Sequence, residues 1–333
     1  MMMDEKKKIK IKKKREEGIK ILFFWLDAVI LDLLHNMGAA FARIRPRASV
    51  TKNTTFCIAA MPYLTSNDGV KIYYEDAGGN GIPVIFSHGF GSGSKLWRFQ
   101  VPALKEAGYR PIIWDMRAHA KSEGPDDSTK YSKMTQVNDL KAVCDTCGVK
   151  SSIFVGHSMG GYDMMLFNLR YPTYVAGWVL YATGPGFSKE KGRIGWNKTA
   201  DKMARKYDEK GLGALVGSDK HMGHRNPKGL AHAVRGFFAQ RKDDPLFMEF
   251  EEGPLVAAKR ISTFTVPTHI IVGDRDKGFG KACDMMHAKI QGSKLTKIPN
   301  AGHMAAEKNP EEFNKILLGA LQNLKQHIRK SKL

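Results

Sequence analysis

Residues 156–161 read Gly156-His157-Ser158-Met159-Gly160-Gly161. An apolar run of strand length, residues 152–155, leads into them, and a helix-patterned run, residues 162–170, leads out. This is the G-x-S-x-G pattern in a strand–turn–helix setting. The chain must reverse within a few residues there, which holds the serine in a strained backbone. Bulky side chains at Gly156 or Gly160 would collide with the neighbouring strand and helix. The hydroxyl of Ser158 then stands at a helix N-terminus, whose unpaired N–H groups and dipole favour developing negative charge. Ser158 is the candidate nucleophile.

A serine hydroxyl is a weak nucleophile and needs a base, normally a histidine held by a carboxylate. Downstream, the apolar run 269–272 enters Gly273-Asp274-Arg275-Asp276, and a shorter run, 294–298, enters Pro299-Asn300-Ala301-Gly302-His303. Both segments follow the C-terminal ends of expected strands, where parallel sheets place their sites. His303 is the candidate base. Asp276, three residues past Gly273, has room for a turn that aims it back at His303. Asp274 directly follows the glycine and is expected to face solvent or pair with Arg275. His88 and His157 lie in glycine-rich turns and read as structural. His221, His224, His232 and His287 fall in helical stretches, in the wrong place for the base. The oxyanion of an acyl-transfer intermediate needs two N–H donors. The residue after the nucleophile, Met159, offers one. Phe90, in His88-Gly89-Phe90-Gly91-Ser92-Gly93, offers the second. The G-x-x-x-x-G-K-[ST] phosphate-loop signature is absent, so that glycine-rich turn is not expected to hold a nucleoside triphosphate.

Outward from these motifs, a strand candidate at 70–75 and short, nearly continuous apolar runs at 83–87, 111–114, 152–155, 177–181 and 269–272 alternate with helical patterns at 95–107, 132–147, 159–171, 279–290 and 309–327. Such runs suit parallel strands covered on both faces. The alternation predicts an α/β fold with a mostly parallel, doubly wound sheet over residues 66–325. Residues 185–262 break it with helical patterning and no good strand, and read as an inserted helical cap. Trp97, Phe187, Trp196 and Phe237 are the candidates for an apolar substrate pocket.

These residues resemble the α/β-hydrolase superfamily: His88-Gly89-Phe90-Gly91, the Asp115–Ser122 loop, Gly156–Gly161, Tyr171-Pro172, Gly273-Asp274-Arg275-Asp276 and Gly302-His303. The chain is similar to its single-domain esterases, non-haem perhydrolases, enol-lactonases and carbon–carbon bond hydrolases. The resemblance implies the α/β-hydrolase fold, the triad Ser158–Asp276–His303 and the cap. Relatives with an aspartate nucleophile are disfavoured, because the elbow holds Ser158. One departure stands out: Ala118 and Ala120 occupy positions where the Asp-x-Arg-x-x-x-x-Ser loop usually carries glycine. The expected activity is hydrolysis of an ester, thioester or lactone of a small or lipid-like substrate through an acyl-enzyme. The alternatives are carbon–carbon hydrolysis or perhydrolysis on the same triad, and a ligand-binding protein of the same fold with little turnover. No cofactor and no metal are expected.

A chain of 333 residues with 42% hydrophobic content can build one large core. Its formal net charge is +20. Residues 1–20 carry nine Lys/Arg against four Asp/Glu, and Lys325, Arg329, Lys330 and Lys332 add to the tail, residues 326–333 included. No basic run in the body is interleaved with aromatics, so a nucleic-acid partner is not expected. A diffuse positive field fits anionic substrates, lipid surfaces or solubility. The apolar segment within residues 21–45 is interrupted by Asp27 and Asp32. It reads as an interfacial amphipathic helix, a signal or anchor segment, or a helix packed on the body. The chain ends in Ser331-Lys332-Leu333, which in a eukaryote is an address for the peroxisomal import receptor. The expected location is therefore the peroxisome, with membrane association or the cytoplasm as alternatives. Cys144-x-x-Cys147 has no second pair and reads as ordinary helix residues.

Overall fold

The computed structural model describes residues 62–330. The expectations placed on residues 1–45 and on Ser331-Lys332-Leu333 lie outside the described residues. Eight strands form one sheet in the order β1-β2-β4-β3-β5-β6-β7-β8. They are β1 Tyr63–Thr65, β2 Lys71–Asp76, β3 Pro83–Ser87, β4 Arg110–Trp114, β5 Ser152–His157, β6 Val175–Tyr181, β7 Thr268–Gly273 and β8 Lys294–Ile298. The pairs β1·β2 and β2·β4 are antiparallel and all others are parallel. Six strands thus form the parallel, doubly wound sheet that strand–helix alternation predicts. The strand β1 was not anticipated. At three residues it is too short to leave a periodic signature.

Alternation along each strand builds two cores, because successive side chains point to opposite faces. Ile85, Phe154, Trp178, Leu180, Ile270 and Val272 join one cluster. Helices α2 (Lys133–Thr146), α3 (Met159–Arg170) and α8 (Gly280–Lys289) cover it. Val84, Phe86, Ile153, Val155, Val179, Tyr181 and Ile271 join the other. There α1 (Gln100–Glu106) and α10 (Pro310–Lys330) close the face, with Phe313, Leu317, Leu321 and Leu324 of α10 at helical spacing. Because α10 continues to Lys330, part of the expected tail 326–333 is the end of a helix.

All described elements between β6 and β7 are helical: α4 (Glu190–Lys210), α5 (Pro227–Ala233) with a π-turn at Val234–Phe238, α6 (Pro245–Met248), α7 (Val256–Lys259) and short 3₁₀ turns. No described helix is long and apolar enough to cross a membrane. Cys144 and Cys147 are buried free thiols at the end of α2. Burial pushes Cys147 up to about 12 and Cys144 higher still, so both are inert at neutral pH.

The loop after β4 shows how the chain manages without glycine. Ala118 and Ala120 hold φ values of 65° and 44°, in the left-handed region that costs an L-residue about 1 kcal/mol. Asp115 holds the loop by accepting from the Ser94 and Lys121 N–H groups. Arg117 holds it from the other side, giving two 2.7 Å bonds to Asp139 on α2 and bonds of 2.8 and 2.9 Å to Asp68. The Arg117 and Asp139 side chains are only 1% and 2% exposed. Without Asp139 the buried Arg117 keeps only the partly exposed Asp68 as its carboxylate partner, and its Nε–H is left without an acceptor. Asp139→Ala should lower unfolding free energy by about 3 kcal/mol. Lys141→Ala, which breaks the half-exposed Lys141–Asp145 pair, should cost less than about 0.5 kcal/mol. Urea midpoints measure both, and equal small shifts would show that the Arg117 network carries no stability.

Candidate active site

The reversal after β5 places Ser158 at φ 53°, ψ −119°, immediately before α3. Four hydrogen bonds hold this backbone. The Ser158 N–H donates to the Tyr181 carbonyl at 3.0 Å, and the Ser158 carbonyl accepts from Gly161 N–H, Tyr162 N–H and Thr183 Oγ1 at 3.1, 3.3 and 2.6 Å. A methyl group on Gly156 would fall 2.6 Å from Gly161 Cα, and one on Gly160 would fall 2.6 Å from the Ser87 and His88 carbonyl oxygens. Both glycines are therefore required by close backbone approach, as the sequence pattern predicts. A methyl on Gly161 would strike Thr183 in the same way.

Asp276 lies past β7 and His303 past β8, and the two strands pair in parallel register. A methyl on Gly273 would fall 2.2 Å from the Ala301 carbonyl oxygen, so the two exit loops run in contact. His303 Nδ1 donates to Asp276 Oδ2 at 2.8 Å, and Asp276 Oδ1 accepts from the Gly278 and Phe279 N–H groups at 3.0 and 3.1 Å. Burial alone would raise the Asp276 pKa. The His303 bond and charge and the two N–H donors outweigh it, and the carboxyl sits below its ordinary value. Asp274 does not pair with Arg275. It accepts from the Ala301 N–H at 3.2 Å, while Arg275 bonds Asn300. Both residues thus brace the loop that carries His303.

The His303 ring lies between Phe279, stacked at 5.0 Å, and His157, at 4.6 Å. Its own carbonyl accepts from His157 Nε2 at 3.0 Å and from the Tyr181 hydroxyl at 2.8 Å. Burial and the nearby His303 hold His157 well below the usual imidazole range, so it is neutral. Donation to a carbonyl assigns its proton to Nε2. His88 is also buried and neutral, pushed down to about 4, first by burial. It bridges Gly89 O and the Met116 N–H at 2.7 and 3.0 Å. Both histidines are framework groups.

The loop after β3 comes against the elbow. A methyl on Gly89 would fall 3.1 Å from Ser158 Cβ. Among the described residues no group accepts from the N–H of Phe90 or of Met159. The Phe90 ring anchors its loop, packing on His119 at 5.0 Å and on Phe238 of the insertion at 5.4 Å.

Ser158 and His303 line one cavity of about 440 Å³. Phe187, Trp196, Phe237, Phe238 and Gln240 enter it from the insertion, Lys133 from α2, Tyr162 from α3, and Phe279 and Ala282 from the segment after β7. Phe187, Trp196 and Phe237, three of the candidates named from the sequence, thus line the same cavity as Ser158. Trp97 is a correction. It ends a short 3₁₀ turn, Ser94–Trp97, and packs on Phe86 at 4.9 Å in the core on the opposite face of the sheet. The turn aims it inward, into that core and not into the cavity. Phe279, Tyr162, Gln240 and Lys133 were missed. None stands in a motif, and only the folded chain brings them together.

A family model described as alpha/beta hydrolase fold matches residues 82–310. The chain is 27% identical over 276 residues to the AB hydrolase superfamily protein YisY of Bacillus subtilis (strain 168), covering 77% of this chain and 97% of that one. An esterase from Exiguobacterium antarcticum superposes with a TM-score of 0.65 at 22% identity, covering 79% of this chain and 98% of its own. Bromoperoxidase from Bacillus anthracis does so with a TM-score of 0.60 at 25% identity, covering 78% and 99%. The order of the strands, the reversal at Ser158 and these matches agree, and the chain belongs to the α/β-hydrolase family.

Proposed function

We propose that this protein is a serine hydrolase of carboxylic ester-like bonds, with Ser158 as nucleophile, His303 as base and Asp276 as the group that orients it. The observation that carries the reading is the Asp276–His303 hydrogen bond at 2.8 Å on the wall of the cavity that Ser158 also lines. In the first step Ser158 Oγ attacks the substrate carbonyl and His303 Nε2 takes its proton. The negative charge that forms on the carbonyl oxygen meets the N–H groups of Phe90 and Met159. The carbon–oxygen bond to the leaving group then breaks, and His303 returns the proton to it. Water repeats the sequence on the acyl-serine, releasing the acid and restoring the hydroxyl. Asp276 holds the Nδ1–H tautomer, so that Nε2 is free to act, and balances the imidazolium charge. The aromatic lining suits an apolar acyl or alcohol portion.

A second chemistry on the same residues is perhydrolysis, in which hydrogen peroxide replaces water in the second step and a peracid leaves. The likeness to the Bacillus anthracis bromoperoxidase favours it. Adding peroxide to the assay and detecting peracid separates the two.

Two outcomes follow. Wild-type protein should be labelled by a fluorophosphonate probe and turn over p-nitrophenyl esters of graded chain length. Ser158→Ala should abolish labelling and lower kcat on the order of 10³-fold or more. Persistent labelling of the variant would place the nucleophile elsewhere. The depressed pKa of Asp276 also has a sign. Its unfolded value is 3.8 and its folded value is lower, so its contribution to stability is present above 3.8 and is lost as pH falls through the folded value. The gap between wild type and Asp276→Asn in urea midpoint should shrink as pH falls from 5 towards 2. A gap that does not change at all between pH 5 and pH 2 would mean that the carboxylate is not held by the contacts described.

A further inference from the structure

The cavity that holds Ser158 is apolar over most of its wall but carries a polar corner that the reaction does not use. The Tyr162 hydroxyl and Gln240 Oε1 are buried and have no hydrogen-bond partner among the described residues. Tyr162 is 7% and Gln240 4% exposed, and both line the cavity. They are neighbours: a methyl on Gly186 would fall 2.8 Å from Gln240 Nε2 and 3.1 Å from Tyr162 Cε2. Gly186, at φ 79°, lets the two approach.

The corner is held rigidly. The Gln240 backbone is clamped to α4, its N–H donating to Asn197 Oδ1 at 2.8 Å and its carbonyl accepting from Arg193 and Asn197 at 2.6 and 3.0 Å. Lys133 Nζ lies 5.0 Å from the centre of the Tyr162 ring. It donates to Asp163 Oδ1 at 2.6 Å and to Gln136 Oε1 at 3.2 Å. Those bonds use two of its three N–H groups, and Asp163 balances its charge. A buried polar group left without a partner is destabilising, because it has given up its bonds to water and gained none. Two such buried groups, on residues that both line a substrate cavity and both pack against Gly186, call for a ligand group that answers both.

We propose that Tyr162 and Gln240 form a hydroxyl-recognition subsite, and that the preferred ester carries an alcohol group on one side of its scissile bond. A hydroxyl oxygen accepts from Tyr162 O–H while its hydrogen is donated to Gln240 Oε1. A hydroxyl both accepts and donates, so it meets the Tyr162 O–H and either end of the Gln240 amide, whereas a ketone or a carboxylate can only accept. A carboxylate would also find the Lys133 charge already met by Asp163. The subsite rests on the serine-hydrolase reading for its place in catalysis, but not for its ability to bind.

The test is a pH-indicator assay on matched pairs of esters: alkanoate against hydroxyalkanoate, and simple alkyl ester against diol monoester, with the hydroxyl stepped along the chain. At one position the hydroxylated ester should show kcat/KM at least tenfold above its unsubstituted partner. Tyr162→Phe and Gln240→Met should each bring that ratio towards one. Flat ratios in a wild type that a fluorophosphonate labels would overturn the subsite and leave the serine hydrolase intact, with water meeting the two groups instead. Absence of labelling and of turnover would overturn the hydrolase reading. Quenching of tryptophan fluorescence, through Trp196 in the cavity wall, then decides the subsite by titration with matched alkanols and diols. Tighter binding of a diol, lost in Tyr162→Phe, supports it, and equal affinities overturn it.

Discussion

The backbone of Ser158 sits at φ 53°, a conformation that costs a non-glycine residue roughly 1–3 kcal/mol. Much of the surrounding structure is arranged to hold it there. The Tyr181 carbonyl receives its N–H, and Thr183 and the first turn of α3 donate to its carbonyl. Those contacts are possible only because β5 and β6 run side by side in register, His157 opposite Tyr181. The close packing also excludes side chains at Gly156, Gly160 and Gly161. A local strain is thus maintained by strand pairing, and in return a hydroxyl stands at the end of a helix with free N–H groups beside it.

The same register positions the histidine. His157, one residue before the strained serine, and Tyr181, its partner on β6, both donate to the carbonyl of His303. The elbow and the loop after β8 are therefore joined through a main-chain atom and not only through their reactive side chains. The Tyr181 hydroxyl also accepts from the Ala306 N–H at 3.1 Å, which extends the link into α9 (Ala305–Lys308). Because burial keeps His157 neutral, this brace places no positive charge beside the His303 ring. A cationic side chain at residue 157 would disfavour the imidazolium.

What could be read from the chain follows the range of the interactions involved. The elbow, the parallel strands and the spacing from Gly273 to Asp276 are local, since each depends on residues close in sequence, and each left a pattern. The loop after β4 was legible in part. Ala118 and Ala120 stood where glycine is usual, and the structure gives them the left-handed φ that glycine would take without strain. The composition hid the turn, and Asp115 and Arg117 supply what holds it. Trp97 was misplaced because nothing in the sequence tells which side of the short turn Ser94–Trp97 meets the core. Tyr162, Gln240 and Lys133 come from α3, the insertion and α2, and no spacing in the sequence relates them.

The insertion between β6 and β7 is joined to the sheet domain by contacts that also shape the cavity. Phe238 packs on Phe90 of the β3 loop at 5.4 Å and on Trp196 at 4.4 Å, and Trp196 meets Phe187 at 5.8 Å. Trp196 Nε1 donates to the Phe238 carbonyl at 2.8 Å, so the aromatic row is fixed by a polar bond as well as by packing. One end of that row reaches the β3 loop at Phe90, and the other lines the cavity. Any change that shifts the insertion therefore reaches that loop through one ring contact. The shape of the cavity and the position of the β3 loop are in this way coupled mechanically, and a side chain that enlarges the cavity at Phe238 would also loosen the loop beside Ser158.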